Sequence, residues 1–379
     1  MRTMLDDVIR SSKGPSCRTM YACQTQSTQQ HACPQNCSAR RRHRAPRVFC
    51  AGGQNVNSLG TALDLRSRLQ QTDLARRQQG GFGSAGWEEV EGAWVRRPSR
   101  RAWGVVHFTG GAVLGGFPHL CYDAMLSCLS EASGLLVIAT PYELGTDHDG
   151  IAEACAKLLT QALAAVCLAD GYDASTLPLF GVGHSLGAKL QVLLACRGTL
   201  RYRAQAMVAF NNASATDSVR LLQQFARELL EDGRALGRDV SDAVLGMMPV
   251  IGAMAERAAA VSGLQFKPDP KETLRRAAEE YAVQRCMLVT FNDDKLDQNE
   301  ELREELAERR DTDISTARRT GNHLTPVVVT LAPPQGLSQL SGSLPRSVGD
   351  EAAARELGAD VGQWLQRAAM KPSNIKLLT

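Results

Sequence analysis

The stretch Gly183-His184-Ser185-Leu186-Gly187 decides the fold of this 379-residue chain, because it places a serine between two glycines where the secondary structure changes. Leu179 to Val182 form a short apolar run typical of a buried strand, and Ala188 to Cys196 are typical of a helix. A sharp strand-to-helix turn holds its serine in a strained backbone conformation and needs small neighbours. The stretch therefore predicts a nucleophile elbow around Ser185. A tight turn that only requires a small serine is the alternative.

Apolar runs that alternate with helical segments surround this elbow. The runs cover residues 104–108, 135–139, 179–182, 206–210 and 287–291, and turn residues bound them. An edge strand is expected from Trp87 to Pro98, and a closing helix from Glu351 to Met370. This alternation predicts a mostly parallel central sheet with helices on both faces. Together with the elbow, it predicts an α/β-hydrolase fold.

The chain is predicted to contain one hydrolase domain, at residues 87–371. Residues 57–86 end in a glycine-rich stretch and are expected to be a linker, and residues 372–379 a flexible tail. Between residues 214 and 282 the alternation of strands and helices breaks. A long, mostly helical insertion in this range is expected to form a cap on the domain.

Residues 1–56 are predicted to be a disordered transit peptide. They are rich in Ser, Thr, Gln and Arg, hold few acids and lack the apolar central run of a secretory signal. We therefore expect a chloroplast protein, in the stroma or associated with thylakoids; an untargeted disordered tail is the alternative. A nucleic-acid partner is not expected, because the basic residues lack interleaved aromatic side chains. Six of the eleven cysteines follow the predicted transit peptide and lie in apolar stretches, which fits a reducing compartment.

A serine nucleophile needs a base, and in this fold the chain order is serine, then an acid, then histidine. Asp294 follows the strand that ends at residue 291, and His323 lies in a later loop, so both partners occur in that order. Asp293 and Asp297 are rivals for the acid, since a cluster of acids also caps a helix. For His323 the alternative is a loop histidine that caps a turn.

A glycine loop follows the first central strand, where hydrolases keep donors for the oxyanion. The amide of Leu186, with one from Gly111 or Ala112, is expected to form a two-donor oxyanion hole. The alternative is a glycine-rich connection that only permits close packing. No phosphate-binding spacing is present, and Cys33 with Cys37 have metal-like spacing but no second pair to complete a zinc site, so neither a cofactor nor a metal is predicted.

The predicted cap contains a strongly apolar stretch with three methionines, Met247, Met248 and Met254. Flexible methionines adapt to irregular apolar ligands, so these residues are predicted to line a site for a lipid acyl chain. A helical hairpin packed on the core is the alternative. No run of eighteen apolar residues occurs, so a transmembrane span is not expected, although a peripheral membrane contact is compatible with the sequence.

Six motifs, at residues 107–111, 139–142, 181–187, 210–212, 291–298 and 321–326, carry a resemblance to a known family. From about Trp87 to Pro326 the chain resembles α/β-hydrolase-like proteins of cyanobacteria and plastids that are grouped as a domain of unknown function. The resemblance implies the fold, a plastid setting and the triad Ser185, Asp294 and His323. Thr109 and Val113 depart from it, because larger apolar residues are more usual there.

Ser185, Asp294 and His323, in this chain order, predict a serine hydrolase that works through an acyl-serine intermediate. Its expected substrate is an ester or thioester, either a small molecule or a lipid. Two other functions stay open. One is a plastid binding or assembly factor that keeps the fold without catalysis. The other is an acyltransferase, which would use an alcohol or amine acceptor in place of water.

Overall fold

The computed structural model describes residues 69–70, 72–74, 86–112, 114–214, 217, 265–309, 311–331 and 346–370. All of them belong to the compact unit that runs from Asn57 to Thr379. The predicted transit peptide, most of the predicted cap with its three methionines, and the C-terminal tail lie outside the described residues.

Eight strands form the central sheet, in the order β1-β2-β4-β3-β5-β6-β7-β8. Pairings of β1 with β2 and of β2 with β4 are antiparallel, and the pairings from β4 through β3 to β8 are parallel. The predicted α/β-hydrolase fold is therefore confirmed. The strands are β1 (Trp87–Val90), β2 (Ala93–Arg96), β3 (Val105–Thr109), β4 (Leu136–Ala139), β5 (Leu179–His184), β6 (Tyr202–Val208), β7 (Arg285–Phe291) and β8 (Asp313–Arg319).

The described part of the chain also contains seven bounded α-helices, a 3₁₀ helix (Leu114–Gly116), short helical stretches at 69–70 and 72–74, and a small second sheet. The second sheet pairs β9 (Val329–Leu331) with β10 (Arg346–Val348) in antiparallel fashion. The helices are α1 (Pro118–Cys121), α2 (Asp123–Ser133), α3 (His148–Asp170), α4 (Leu186–Arg197), α5 (Pro270–Glu280), α6 (Asn299–Ala307) and α7 (Glu351–Met370).

Helices cover both faces of the sheet because successive strand side chains point to opposite sides. Val105 and Val106 of β3 accordingly belong to two different hydrophobic clusters. One cluster joins the sheet to α2 and α7, through residues that include Met125, Leu129, Val361 and Leu365. The other joins it to α3, α4, α5 and α6, through residues that include Leu159, Leu190, Ala277 and Leu302.

Two parts of the sheet differ from the sequence prediction. The expected single edge strand from Trp87 to Pro98 is a hairpin of β1 and β2. Strand β8 was not expected, because its sequence has no apolar run and its side chains are half-buried or exposed. All seven of its residues pair with β7, so the backbone ladder of a buried neighbour makes this polar segment a strand.

Helix α5 lies within the range that was predicted as a cap. Its residue Ala277 is fully buried in the cluster shared with α3 and α4, and the following Tyr281 is buried as well. The last part of the predicted cap is therefore a helix of the domain core.

Helix α3 is long and apolar enough to cross a membrane, by length and composition alone. Ala152, Cys155 and Leu159 form a fully buried stripe of this helix in the core cluster. Core helices of other proteins pass the same test, so the finding is weak evidence for a membrane span.

Candidate active site

The elbow forms where β5 ends at His184 and α4 begins at Leu186. Ser185 lies between them with φ 56° and ψ −122°, a conformation that non-glycine residues rarely adopt. Its amide donates a hydrogen bond of 3.0 Å to the carbonyl oxygen of Val208 in β6. The neighbouring strand thus holds the strained residue, and the serine side chain stands at the carboxyl edge of the parallel sheet.

Both glycines of the elbow are required by close backbone contacts. A Cβ atom on Gly183 would overlap the first turn of α4, and one on Gly187 would overlap the carbonyl oxygen of Thr109. The hydroxyl of Thr109 donates a 2.8 Å hydrogen bond to the carbonyl of Gly187. The threonine that departs from the family resemblance therefore ties the glycine loop to the elbow.

Ser185, His323 and Asp294 form a continuous chain of hydrogen bonds. His323 Nε2 lies 2.9 Å from Ser185 Oγ, and His323 Nδ1 lies 2.8 Å from Asp294 Oδ2. The side chains of Asp294 and His323 are 0% and 4% exposed. The structure thus brings together three residues that are 29 and 138 positions apart along the chain.

The carboxylate determines the histidine tautomer. An ionised Asp294 can only accept a hydrogen bond, so Nδ1 of His323 carries the proton. The neutral ring then has an unprotonated Nε2, which accepts the hydroxyl proton of Ser185. The second carboxylate oxygen of Asp294 accepts a 2.8 Å hydrogen bond from the amide of Leu296, which holds the carboxylate in place.

The two rival acids occupy other positions. Asp293 is exposed, and its backbone amide donates to the carbonyl of Gly321. Asp297 accepts a 2.7 Å hydrogen bond from the amide of Asn299, the first residue of α6. Burial raises the pKa of Asp297 to about 6. Of these three described acids, Asp294 is the one in hydrogen-bond contact with His323.

The glycine loop after β3 lies next to the nucleophile, but one of its amides has a partner. A Cβ atom on Gly111 would lie 3.5 Å from Cβ of Ser185. The amide of Gly111 donates a 2.7 Å hydrogen bond to the hydroxyl of Tyr122, a fully buried side chain. Leu186 is the first residue of α4, where amides have no carbonyl partner within the helix. From the predicted set, the amides of Ala112 and Leu186 therefore remain the candidate oxyanion donors in this arrangement.

His184 and Tyr122 form a buried contact with the triad that the sequence analysis did not anticipate. His184 Nε2 lies 2.9 Å from the carbonyl oxygen of His323, and His184 Nδ1 lies 2.9 Å from the Tyr122 hydroxyl. Burial lowers the pKa of His184 to about 3, so its ring is neutral. The position of His184 directly before the nucleophile was a signal in the sequence. Tyr122 had none.

The loop that carries His323 is attached at both ends. Near its start, the carbonyl of Gly321 accepts a 3.0 Å hydrogen bond from Asp293, and the amide of Asn322 donates to the Thr325 hydroxyl at 2.9 Å. Beyond the loop, the amide of Val328 donates to the carbonyl of Cys121 at 3.0 Å. The histidine therefore approaches Ser185 on a short, well-connected segment.

The described residues contain no group of three or more His, Cys, Asp or Glu side chains that is arranged to hold a metal ion.

Several solved structures are similar to this chain. The hyperthermophilic esterase of the archaeon Pyrobaculum calidifontis is 17% identical with a TM-score of 0.46, over 82% of this chain and 94% of that one. A thermostable esterase of Pseudomonas putida is 18% identical with a TM-score of 0.46, over 85% of this chain and 100% of that one. Carboxyl esterase 2 of the fungus Tuber melanosporum is 17% identical with a TM-score of 0.43, over 73% and 82%.

Among curated proteins, a comparison finds no match. A protein family described as "Protein of unknown function (DUF1350)" matches residues 86–369, which include all eight strands of the central sheet and the three residues of the hydrogen-bonded chain. This chain belongs to the DUF1350 family.

Proposed function

We propose that this protein is a serine hydrolase that cleaves an ester or thioester through an acyl-Ser185 intermediate. The observation that carries the proposal is the hydrogen-bonded chain from Asp294 through His323 to the strained Ser185. A buried carboxylate, a histidine and a serine in this order are the groups that nucleophilic acyl transfer needs.

Acylation begins at the hydroxyl of Ser185. His323 Nε2 accepts the hydroxyl proton while Oγ attacks the carbonyl carbon of the substrate and forms a tetrahedral intermediate. The carboxylate of Asp294 stabilises the imidazolium that results. The negative charge that develops on the substrate oxygen faces the amide of Leu186 and the glycine loop. Each amide donor of this kind contributes roughly 3 kcal/mol to the transition state.

The intermediate then collapses to the acyl enzyme. The bond between the carbonyl carbon and the leaving oxygen or sulfur breaks, and His323 Nε2 returns its proton to that leaving atom. A water molecule takes the place of the alcohol or thiol, loses a proton to Nε2 and attacks the acyl carbon. The bond between the acyl carbon and Ser185 Oγ then breaks, and His323 Nε2 returns the proton taken from water to Oγ. Release of the carboxylic acid leaves the Ser185 hydroxyl and the neutral histidine ready for the next cycle.

Labelling with a fluorophosphonate probe tests this function, because the probe reacts with activated serines and not with ordinary ones. The purified protein is expected to be labelled, and Ser185→Ala is expected to abolish labelling. Ser175→Ala is the control, because Ser175 is an exposed serine whose hydroxyl donates a hydrogen bond to Asp173 and has no histidine partner in the described structure. An unlabelled wild type, or labelling that persists in Ser185→Ala, would refute the proposal and favour a non-catalytic binding role. Product analysis with added alcohols or amines separates hydrolysis from acyl transfer.

We further propose a lipid acyl chain as the substrate and the chloroplast as the compartment. The support for the acyl chain is the apolar stretch with Met247, Met248 and Met254 in the predicted cap. The support for the compartment is the acid-poor, hydroxyl-rich and arginine-rich N-terminal sequence. Both proposals concern segments outside the described residues and are tested by the experiments given in the Discussion.

A further inference from the structure

We propose that His184 is a positioning residue for His323, and that Tyr122 couples this role to the glycine loop. The inference deepens the proposed hydrolase function and rests on it. It concerns a histidine that touches the backbone of His323, and it assigns no chemical step to His184 itself.

The direction of every hydrogen bond in this contact follows from the chemistry of the groups. A backbone carbonyl oxygen can only accept a hydrogen bond. The Nε2 of His184 must therefore carry a proton and donate a hydrogen bond to the carbonyl of His323. In a neutral ring Nδ1 is then the acceptor, and it accepts a hydrogen bond from the hydroxyl of Tyr122. The oxygen of Tyr122 in turn accepts from the amide of Gly111.

The resulting chain runs from Gly111 through Tyr122 and His184 to His323, entirely among buried groups. One end is the loop that lies beside the oxyanion position, and the other end is the backbone of the general base. A single network of hydrogen bonds therefore fixes the position of His323 relative to the glycine loop, with Ser185 between them. Reacting groups need this precision, because a displacement of about 1 Å can cost on the order of 100-fold in rate.

The neutral state of His184 suits this role. The rings of His184 and His323 lie 5.0 Å apart, centre to centre. Because His323 becomes positively charged during acyl transfer, a second charged ring at this distance would oppose that step. A neutral imidazole can hold the carbonyl of His323 without adding such a charge.

Two replacements of His184 test the donor role of Nε2 apart from the acceptor role of Nδ1. His184→Leu removes both, and we expect kcat to fall about 100-fold with little change in KM, since the substrate groups are untouched. His184→Gln can place an amide N–H where Nε2 lies, so it is expected to keep kcat within about tenfold of the wild type.

Tyr122→Phe and Tyr202→Phe form a matched pair. Each removes a buried phenol oxygen that bonds the Nδ1 of a buried histidine, at 2.9 Å for Tyr122 with His184 and 2.8 Å for Tyr202 with His107. Both variants are expected to lower Tm. Tyr122→Phe is expected to lower kcat about tenfold, whereas Tyr202→Phe is expected to keep the kcat of the wild type.

A measurement that does not need turnover distinguishes this inference from the proposed function. In protein labelled with ¹⁵N-histidine, the Nδ1–H signal of His323, assigned by its absence in His323→Ala, reports the contact with Asp294. We expect the signal to shift or broaden in Tyr122→Phe and in His184→Leu, and to stay in Tyr202→Phe. A wild type that does not react with the fluorophosphonate probe would refute the hydrolase function. The Nδ1–H signal of His323 would still show whether His184 and Tyr122 position that histidine. An unchanged signal in folded Tyr122→Phe, or equal kcat in the two tyrosine variants, would overturn the inference.

Discussion

Replacement of Asp294 by asparagine is the sharpest test of the hydrogen-bonded chain. In the wild type, one carboxylate oxygen accepts from His323 Nδ1 at 2.8 Å and the other accepts from the amide of Leu296 at 2.8 Å. An asparagine has one acceptor oxygen and one NH₂ donor in place of these two acceptors. It can therefore satisfy only one of the two contacts as long as Nδ1 of His323 carries the proton.

The favoured orientation of that asparagine decides the outcome. The backbone amide of Leu296 is always a hydrogen-bond donor. The imidazole of His323, in contrast, can carry its proton on Nε2 in place of Nδ1. The asparagine oxygen is thus expected to face Leu296, with its NH₂ group facing Nδ1. The Nε2 of His323 would then carry the proton and could no longer accept the proton of Ser185. This is the wrong tautomer for a general base.

The expected loss in kcat is up to about ten-thousand-fold, which corresponds to about 5.4 kcal/mol of transition-state stabilisation. Turnover of a chromogenic ester and the rate of fluorophosphonate labelling both measure it, and Tm shows whether the variant is folded. Asp293→Asn is the matched control, because Asp293 is exposed. Near-wild-type turnover in Asp294→Asn, or a larger loss in Asp297→Asn, would refute the tautomer argument.

Gly358→Ala should destabilise the fold by about 1–3 kcal/mol, seen as a lower Tm, because a Cβ atom on this residue of α7 would overlap the backbone of α2. Burial raises the pKa of Asp297 to about 6, so its contribution to stability is present below about pH 4 and is lost as the pH rises through 6. Asp297→Asn should therefore raise the free energy of unfolding by roughly 1–3 kcal/mol at pH 8 and by little at pH 4, as urea titrations at the two pH values would show. If the predicted cap binds an acyl chain, the double variant Met247→Asp and Met254→Asp should raise KM roughly tenfold for long-chain esters only, and equal wild-type turnover of acetyl and long-chain esters would contradict this. Import into the chloroplast is expected to trim the chain between residues 47 and 63, which N-terminal sequencing of the organellar protein checks; an intact Met1 would exclude it.

Local sequence determined the elbow and the closing helix. The pattern of Gly183, Ser185 and Gly187 between a strand and a helix could be recognised because these steric demands act between neighbours along the chain. The same holds for α7, whose predicted range from Glu351 to Met370 matches the structure, since a buried stripe at helical spacing needs no knowledge of its partner. The order of serine, acid and histidine likewise follows from the chain alone.

Tertiary structure alone decided which side chains meet around the nucleophile. Asp293, Asp294 and Asp297 lie in one loop, and the conformation of that loop, attached to Gly321, determines which of them faces His323. Tyr122, between α1 and α2, lies 62 residues before His184, at the end of β5, so no local pattern predicts their contact. Sequence patterns report what a residue prefers among its neighbours in the chain. The direction of a loop side chain, and a hydrogen bond between distant segments, depend instead on how those segments pack.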